Sequence, residues 1–95
     1  MVVGVCRLQL RLHAVASLKQ KRGIVKKIIG RVQARFDVAI AEVECNDQLT
    51  VAVLGIAAVG NERAHVNSVL DRVLNFIDSL YLAEPAQQHI ELMHL

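Results

Sequence analysis

Three residues of varied chemistry lie close together in the sequence: Asn61, Arg63 and His65. They stand where an apolar stretch gives way to a helical pattern, and a helix N-terminus attracts anions because its backbone N–H groups are unpaired. An amide, a guanidinium and an imidazole there would suit an anionic ligand. Asn61 also fits a plain helix cap, a role that needs no ligand. A small-ligand or enzymatic site and a capped helix therefore remain alternatives.

The other reactive side chains form no familiar catalytic pattern. Ser17 has no base at a motif-like distance, so a helix N-cap is favoured over a nucleophile, with anion binding at the same helix end as a further role. The four histidines do not have the spacing of metal ligands. Cys6 and Cys45 form no CxxC pair, which is typical of reduced thiols in a cytoplasmic protein. We predict a protein with no metal, no cofactor and no catalytic residues.

The strongest chemical signal is the separation of charge along the chain. Residues 1–36 carry nine Lys or Arg and no acid, whereas residues 37–95 carry all nine acids and two Arg. Seven of the cations fall in "SLKQKRGIVKKIIGRVQARF", residues 17–36. They are Lys19, Lys21, Arg22, Lys26, Lys27, Arg31 and Arg35. A cluster of this kind predicts contact with the phosphates of RNA, whose binding would release counterions.

The charge separation also fits two simpler interpretations. The helix cations could form an ordinary solvated face, since Lys and Arg are good helix formers. Alternatively, basic and acidic regions could pair, either between subunits or across strands. In the second case Arg7 and Arg11 would face Glu42, Glu44 and Glu91. Such pairing would not reach the helix cations, which belong to the opposite layer.

The apolar pattern predicts six elements. Residues 2–13 alternate as a strand, and a helical stripe follows Ser17 as far as residue 36. Residues 38–45 and 49–59 form a hairpin, Asn61 caps a second helix, and residues 87–95 form a short strand after Pro85. The order βαββαβ predicts a single ferredoxin-like α+β domain over residues 1–95, a four-stranded antiparallel sheet with both helices on one face.

The composition also bears on partners. Apolar residues make up 54% of the chain, which favours burial of the free sheet face in a homo-oligomer, most simply a dimer. The three aromatic residues, Phe36, Phe76 and Tyr81, occupy helical positions, so base stacking on the sheet is not expected. No signal peptide or membrane-length apolar segment is visible, and we expect a cytoplasmic protein with no membrane contact.

Four segments, "GVCRLQLRL", "SLKQKR", "VAVLGIAAVGN" and "RAHVNSVLDRVLNFI", resemble the YlxP-like bacterial family, domain-of-unknown-function family 503. The resemblance covers nearly the whole chain and implies a ferredoxin-like fold without an established activity. Members are similar in size to ribosome-binding factors and are often encoded near translation genes, which implies a link to RNA or the ribosome. Gly23 departs from the pattern, where another Arg is expected. We therefore expect a non-catalytic binding protein that contacts RNA or the ribosome through its first helix, with homo-oligomerisation as the alternative.

Overall fold

Six elements form the protein in a computed structural model that describes residues 1–95. The strands and helices follow the order βαββαβ. They are β1 (Val2–Arg11), α1 (Leu18–Arg35), β2 (Ala39–Glu44), β3 (Val51–Gly60), α2 (Arg63–Ser79) and β4 (Glu84–His94). The predicted ferredoxin-like α+β arrangement is confirmed.

The strand β1 lies at the centre of the sheet. It pairs antiparallel with β3 on one side and β4 on the other, and the strand order is β2-β3-β1-β4. The side chains of β1 alternate between the two faces of the sheet. Cys6, Leu8 and Leu10 are buried under the helices, whereas Arg7 and Arg11 are exposed on the opposite face. The sheet therefore has one covered face and one free face.

The two helices bury their apolar stripes on the covered face. Val25, Ile28 and Val32 of α1 and the α2 stripe that contains Val66 and Leu70 join one core with the strands. Gly4 allows close contact between β1 and α2, since a Cβ at this position would lie 2.6 Å from Cγ1 of Val66. The fold therefore requires a residue without a side chain at position 4.

Three details differ from the sequence predictions. The strand β4 begins before Pro85, which an edge strand tolerates because one row of its backbone groups needs no partner. The N-cap of α2 is Glu62, which makes no side-chain capping bond, so the assignment of Asn61 as the cap is wrong. Tyr81 lies beyond the end of α2, with φ 54°.

A bulge separates Glu42 from Glu44 in β2. The extra residue, Val43, reverses the alternation, so the two carboxylates point to opposite faces of the sheet. The prediction that both carboxylates face Arg7 and Arg11 is therefore wrong for Glu42, which contacts Lys21 instead. Neither helix is both long and apolar enough to cross a membrane.

Candidate nucleic-acid interface

Local hydrogen bonds fix the start of α1. The hydroxyl Oγ of Ser17 accepts the backbone N–H of Gln20 at 3.1 Å, and the Gln20 side chain accepts the N–H of Ala16 at 2.7 Å. These contacts satisfy backbone donors that a helix start otherwise leaves unpaired. The predicted N-cap at Ser17 is confirmed, and capping accounts for its presence.

Lys21 lies inside the protein. Its side chain is 0% exposed, and Nζ donates a hydrogen bond to the backbone oxygen of Cys45 at 2.6 Å. Nζ also lies 3.1 Å from Oε2 of Glu42. This oxygen has no hydrogen bond of good geometry, so charge attraction holds the contact. The prediction that Lys21 belongs to the exposed basic face is wrong, because its ammonium group joins α1 to the end of β2.

The other six helix cations lie on the surface. All are exposed, and none has a carboxylate oxygen within 4.0 Å. They are Lys19, Arg22, Lys26, Lys27, Arg31 and Arg35. We call this set the α1 cation face. It faces away from the sheet, so partners from the sheet face cannot neutralise it.

Small residues run along the middle of the α1 cation face. Gly23, Gly30 and Ala34 are exposed between the two rows of cations. A Cβ added at either glycine would meet no atom within 4 Å, and neither glycine has a positive φ. Each glycine costs the helix about 1 kcal/mol relative to alanine. Neither packing nor backbone conformation requires these two glycines.

The cations of the free sheet face do have partners. The guanidinium of Arg7 donates two hydrogen bonds to the Glu44 carboxylate, at 2.8 and 2.9 Å. This bidentate contact raises the pKa of Arg7 and lowers the pKa of Glu44. The predicted pairing across strands is confirmed for Arg7 and Glu44. This ion pair therefore accounts for part of the separation of basic and acidic residues along the chain.

A second cluster lies where β1 ends. Nε2 of His13 contacts the Glu84 carboxylate at 2.7 Å, and Arg11 reaches the same carboxylate at 4.0 Å. The hydrogen bond from His13, with Arg11 nearby, lowers the pKa of Glu84. The sequence predicts that Arg11 faces Glu42, Glu44 or Glu91, whereas Glu91 contacts His89 at 2.8 Å. The pairing of Arg11 with those three acids is wrong, because the bulge in β2 and the register of β4 place them elsewhere.

The four proposed anion-binding residues lie at two ends of the molecule. Arg63 extends towards the end of β4, with Nη1 3.4 Å from Nε2 of His94. His65 instead lines a cleft between α1 and α2, and Asn61 is exposed outside it. Ser17 lies at the start of α1, whereas this cleft lies at its other end. Ser17 is therefore separate from the other three residues, which lie within five positions at the start of α2.

The element order and the sheet define the protein as a ferredoxin-like α+β sandwich with an exposed basic helix. The chain belongs to the family described as "Protein of unknown function (DUF503)", whose family model matches residues 3–90. It is 38% identical over 78 residues to "Uncharacterized protein YlxP" of Bacillus subtilis (strain 168), covering 82% of this chain and 85% of the relative. These matches confirm the family resemblance.

A solved structure supports the fold alone. The de novo designed protein Foldit4 is similar with a TM-score of 0.53 and 15% identity. The match covers 99% of this chain and 97% of the designed chain.

Proposed function

We propose that this protein binds structured RNA, such as ribosomal RNA, through the α1 cation face and without catalysis. The observation that carries the proposal is that six exposed cations on one helix have no carboxylate partner. A helix with such a face can neutralise several phosphates at once. Binding of backbone and shape fits a sheet face that presents no aromatic side chain.

The glycines support close approach of this partner. Gly23 and Gly30 weaken α1, yet nothing within the chain requires them. A sugar-phosphate backbone could lie against the bare helix there, with cations on either side. A cytoplasmic location belongs to the same proposal, which the free thiols of Cys6 and Cys45 support.

Two variants with the same change in net charge test the proposal. Lys26 and Lys27 are replaced with Gln in one, and Arg7 and Arg11 in the other, so each variant loses two positive charges. Binding to a fluorescent fragment of structured ribosomal RNA is measured at several salt concentrations. If the six cations contact about six phosphates, log K for the unmodified protein should fall with log salt with a slope of roughly −4 to −5.

The α1 variant should bind more weakly, with a slope shallower by roughly 1.5, because two contacts are lost. The sheet variant should retain the affinity and slope of the unmodified protein. Equal losses in both variants would show that only net charge matters, which would refute an interface on α1. Salt-insensitive binding would refute the phosphate contacts themselves.

The free sheet face favours a second candidate function, self-association. Val43 is 51% exposed, Val59 67% and Met93 39%, and the half-buried Val3 and Val5 continue the same apolar surface. A second copy of the chain packed on this face would cover these side chains. The two candidates are compatible, because such a dimer would leave both α1 cation faces exposed.

Sedimentation analysis of the protein and of a Val43→Lys variant tests this candidate. We expect a dimer that dissociates in the variant, because a charge would be buried in the interface. Val43 packs against Gly55 at the edge of the sheet and is half exposed, so the folded monomer should tolerate the change. A monomer at all concentrations of the unmodified protein would refute self-association.

A further inference from the structure

A wide cleft lies where the C-terminal end of α1 meets α2. It is open on one side and has a volume of about 750 Å³. Ala58 and Val59 of β3 contribute to its apolar lining, together with Val69 of α2. Phe36 and Phe76 also line it, with ring centroids 5.5 Å apart and an edge-to-face angle of 65°. Ligand-binding clefts of proteins commonly measure about 300–1,000 Å³ and combine apolar walls with few polar groups.

The polar lining of this cleft combines two guanidinium groups, of Arg35 and Arg72, with one carboxylate and the uncharged side chains of His65, Asn75 and Ser79. Cζ of Arg35 lies 4.9 Å from the centroid of the Phe76 ring, which holds its guanidinium at the rim. Arg72 has no carboxylate oxygen within 4.0 Å, and His65 adds an imidazole. The carboxylate of Asp37 also lines the cleft without an ion pair. Two free guanidinium groups beside aromatic rings suit a ligand that is both anionic and planar.

One stripe of α2 supplies most of these groups. His65, Val69, Arg72 and Phe76 follow each other at intervals of four, three and four residues, so they share one face of the helix. This stripe runs beside the buried one, and it faces the end of α1 across the cleft. Most of the site is therefore built on regular helix, and Phe36 and Asp37 come from the connection that follows α1.

We propose that this cleft binds a nucleotide, either free or as an unpaired residue of an RNA strand. Arg72 and His65 bind the phosphate. Arg35 and the phenyl rings contact the base, since guanidinium planes and aromatic rings both stack on bases. The carboxylate of Asp37 accepts a hydrogen bond from a ribose hydroxyl, as acidic residues do in dinucleotide sites. The proposal goes beyond the RNA interface on α1, which requires no cleft.

Titrations of isotopically labelled protein, followed by amide NMR shifts, test the proposal. The probes are adenosine and uridine monophosphates, a single-stranded RNA hexamer, and inorganic phosphate alone. Arg72→Met removes the charge and keeps most of the side-chain volume. Arg63→Met is its matched control, because Arg63 is exposed on the same helix but does not line the cleft. Thermal unfolding of both variants establishes that they are folded.

We expect saturable shifts at Ala58, His65 and Arg72 with a mononucleotide or with the hexamer. The Arg72→Met variant should bind about tenfold more weakly, because a charge-assisted hydrogen bond is lost. The Arg63→Met variant should bind like the unmodified protein. Saturation by mononucleotides identifies a free nucleotide as the source, and saturation by the hexamer alone identifies an RNA strand.

Three results would overturn the proposal. The first is an absence of shifts at these amides with every nucleotide probe. The second is equal affinity for inorganic phosphate and for the nucleotides, which would mean that the aromatic wall contributes nothing. The third is equal weakening by Arg72→Met and Arg63→Met. Arg35 belongs to both the cleft and the α1 cation face, but binding along the rest of that face would shift amides of α1 rather than those of Ala58, His65 and Arg72. Each proposal can therefore fail without the other.

Discussion

Replacement of Lys21 with Met should destabilise the fold without changing the affinity for RNA. The methionine keeps the apolar part of the side chain but removes the ammonium group, which contacts the Cys45 oxygen at 2.6 Å and lies 3.1 Å from the Glu42 carboxylate. Removal of one partner of a buried ion pair costs about 3–5 kcal/mol. The Glu42 side chain is 14% exposed and keeps some contact with water, so we expect a loss of about 3 kcal/mol, the lower end of that range.

Urea denaturation followed by circular dichroism measures this loss. With a slope of about 1–1.5 kcal/mol per molar urea for a small domain, the midpoint should fall by roughly 2–3 M. Lys26→Met is the matched control, because Lys26 is exposed on the same helix, and it should change the free energy of unfolding by less than about 0.5 kcal/mol. A Lys21→Met/Glu42→Leu variant should recover much of the loss, because no unpaired charge remains.

In the RNA-binding assay the two substitutions should have effects opposite to those on stability. Lys26→Met should weaken binding, whereas Lys21→Met should bind RNA like the unmodified protein while it is folded. A Lys21→Met variant as stable as the Lys26→Met variant would refute the structural role of Lys21. Its ammonium group would then have to reach water.

Three further predictions concern packing, capping and pH. Gly4→Ala should destabilise the fold by about 1–3 kcal/mol in urea denaturation, because the new Cβ would lie 2.6 Å from Val66, and a neutral effect would contradict this packing. Ser17→Ala should cost about 1 kcal/mol and Ser17→Asn much less, since asparagine also caps helices; equal losses would exclude a capping role. Arg7 lowers the pKa of Glu44 in the folded protein. The pair therefore stabilises the fold fully at pH values above the pKa of Glu44 in the unfolded chain, about 4.3. This stabilisation is lost as the pH falls through the lowered pKa of the folded state. Thermal unfolding from pH 7 to pH 2 should show a steeper acid loss for the unmodified protein than for Glu44→Gln, and parallel curves would show that the pair contributes nothing.

The sequence predicts the fold well because each element of the core has its own period. Burial of one face produces both the alternation of β1 and the apolar stripe of α1. Leu8 and Val25 are buried, as these two patterns predict. The end of β2 is less predictable. A single extra residue at Val43 reverses which face each carboxylate takes, and a bulge has no clear signal in an apolar strand.

The exposure of the α1 cations is predictable from the sequence except at Lys21. Charge type alone places Lys21 with its exposed neighbours, but its spacing indicates the core. It precedes Val25, Ile28 and Val32 by four, seven and eleven residues, which puts it on the buried stripe. Its partner, Glu42, comes from the strand β2, and no local pattern indicates a contact that depends on the folded chain. The cleft at Arg72 could not be predicted from the sequence for the same reason, because α2 contributes only one of its walls and the others come from distant parts of the chain.

The spacing of the α1 cation face has a cost for the helix that carries it. Its members repel each other along the helix at intervals of three or four residues, and no acid in the first turn offsets the helix dipole. The like-charged neighbours are Lys19–Arg22, Arg22–Lys26, Lys27–Arg31 and Arg31–Arg35. Together they weaken α1 by about 1–2 kcal/mol at low ionic strength. Dissolved ions screen this repulsion, so high salt, which would release a bound polyanion, also stabilises the empty helix. A bound polyanion would stabilise the helix in the same way, by neutralising its cations.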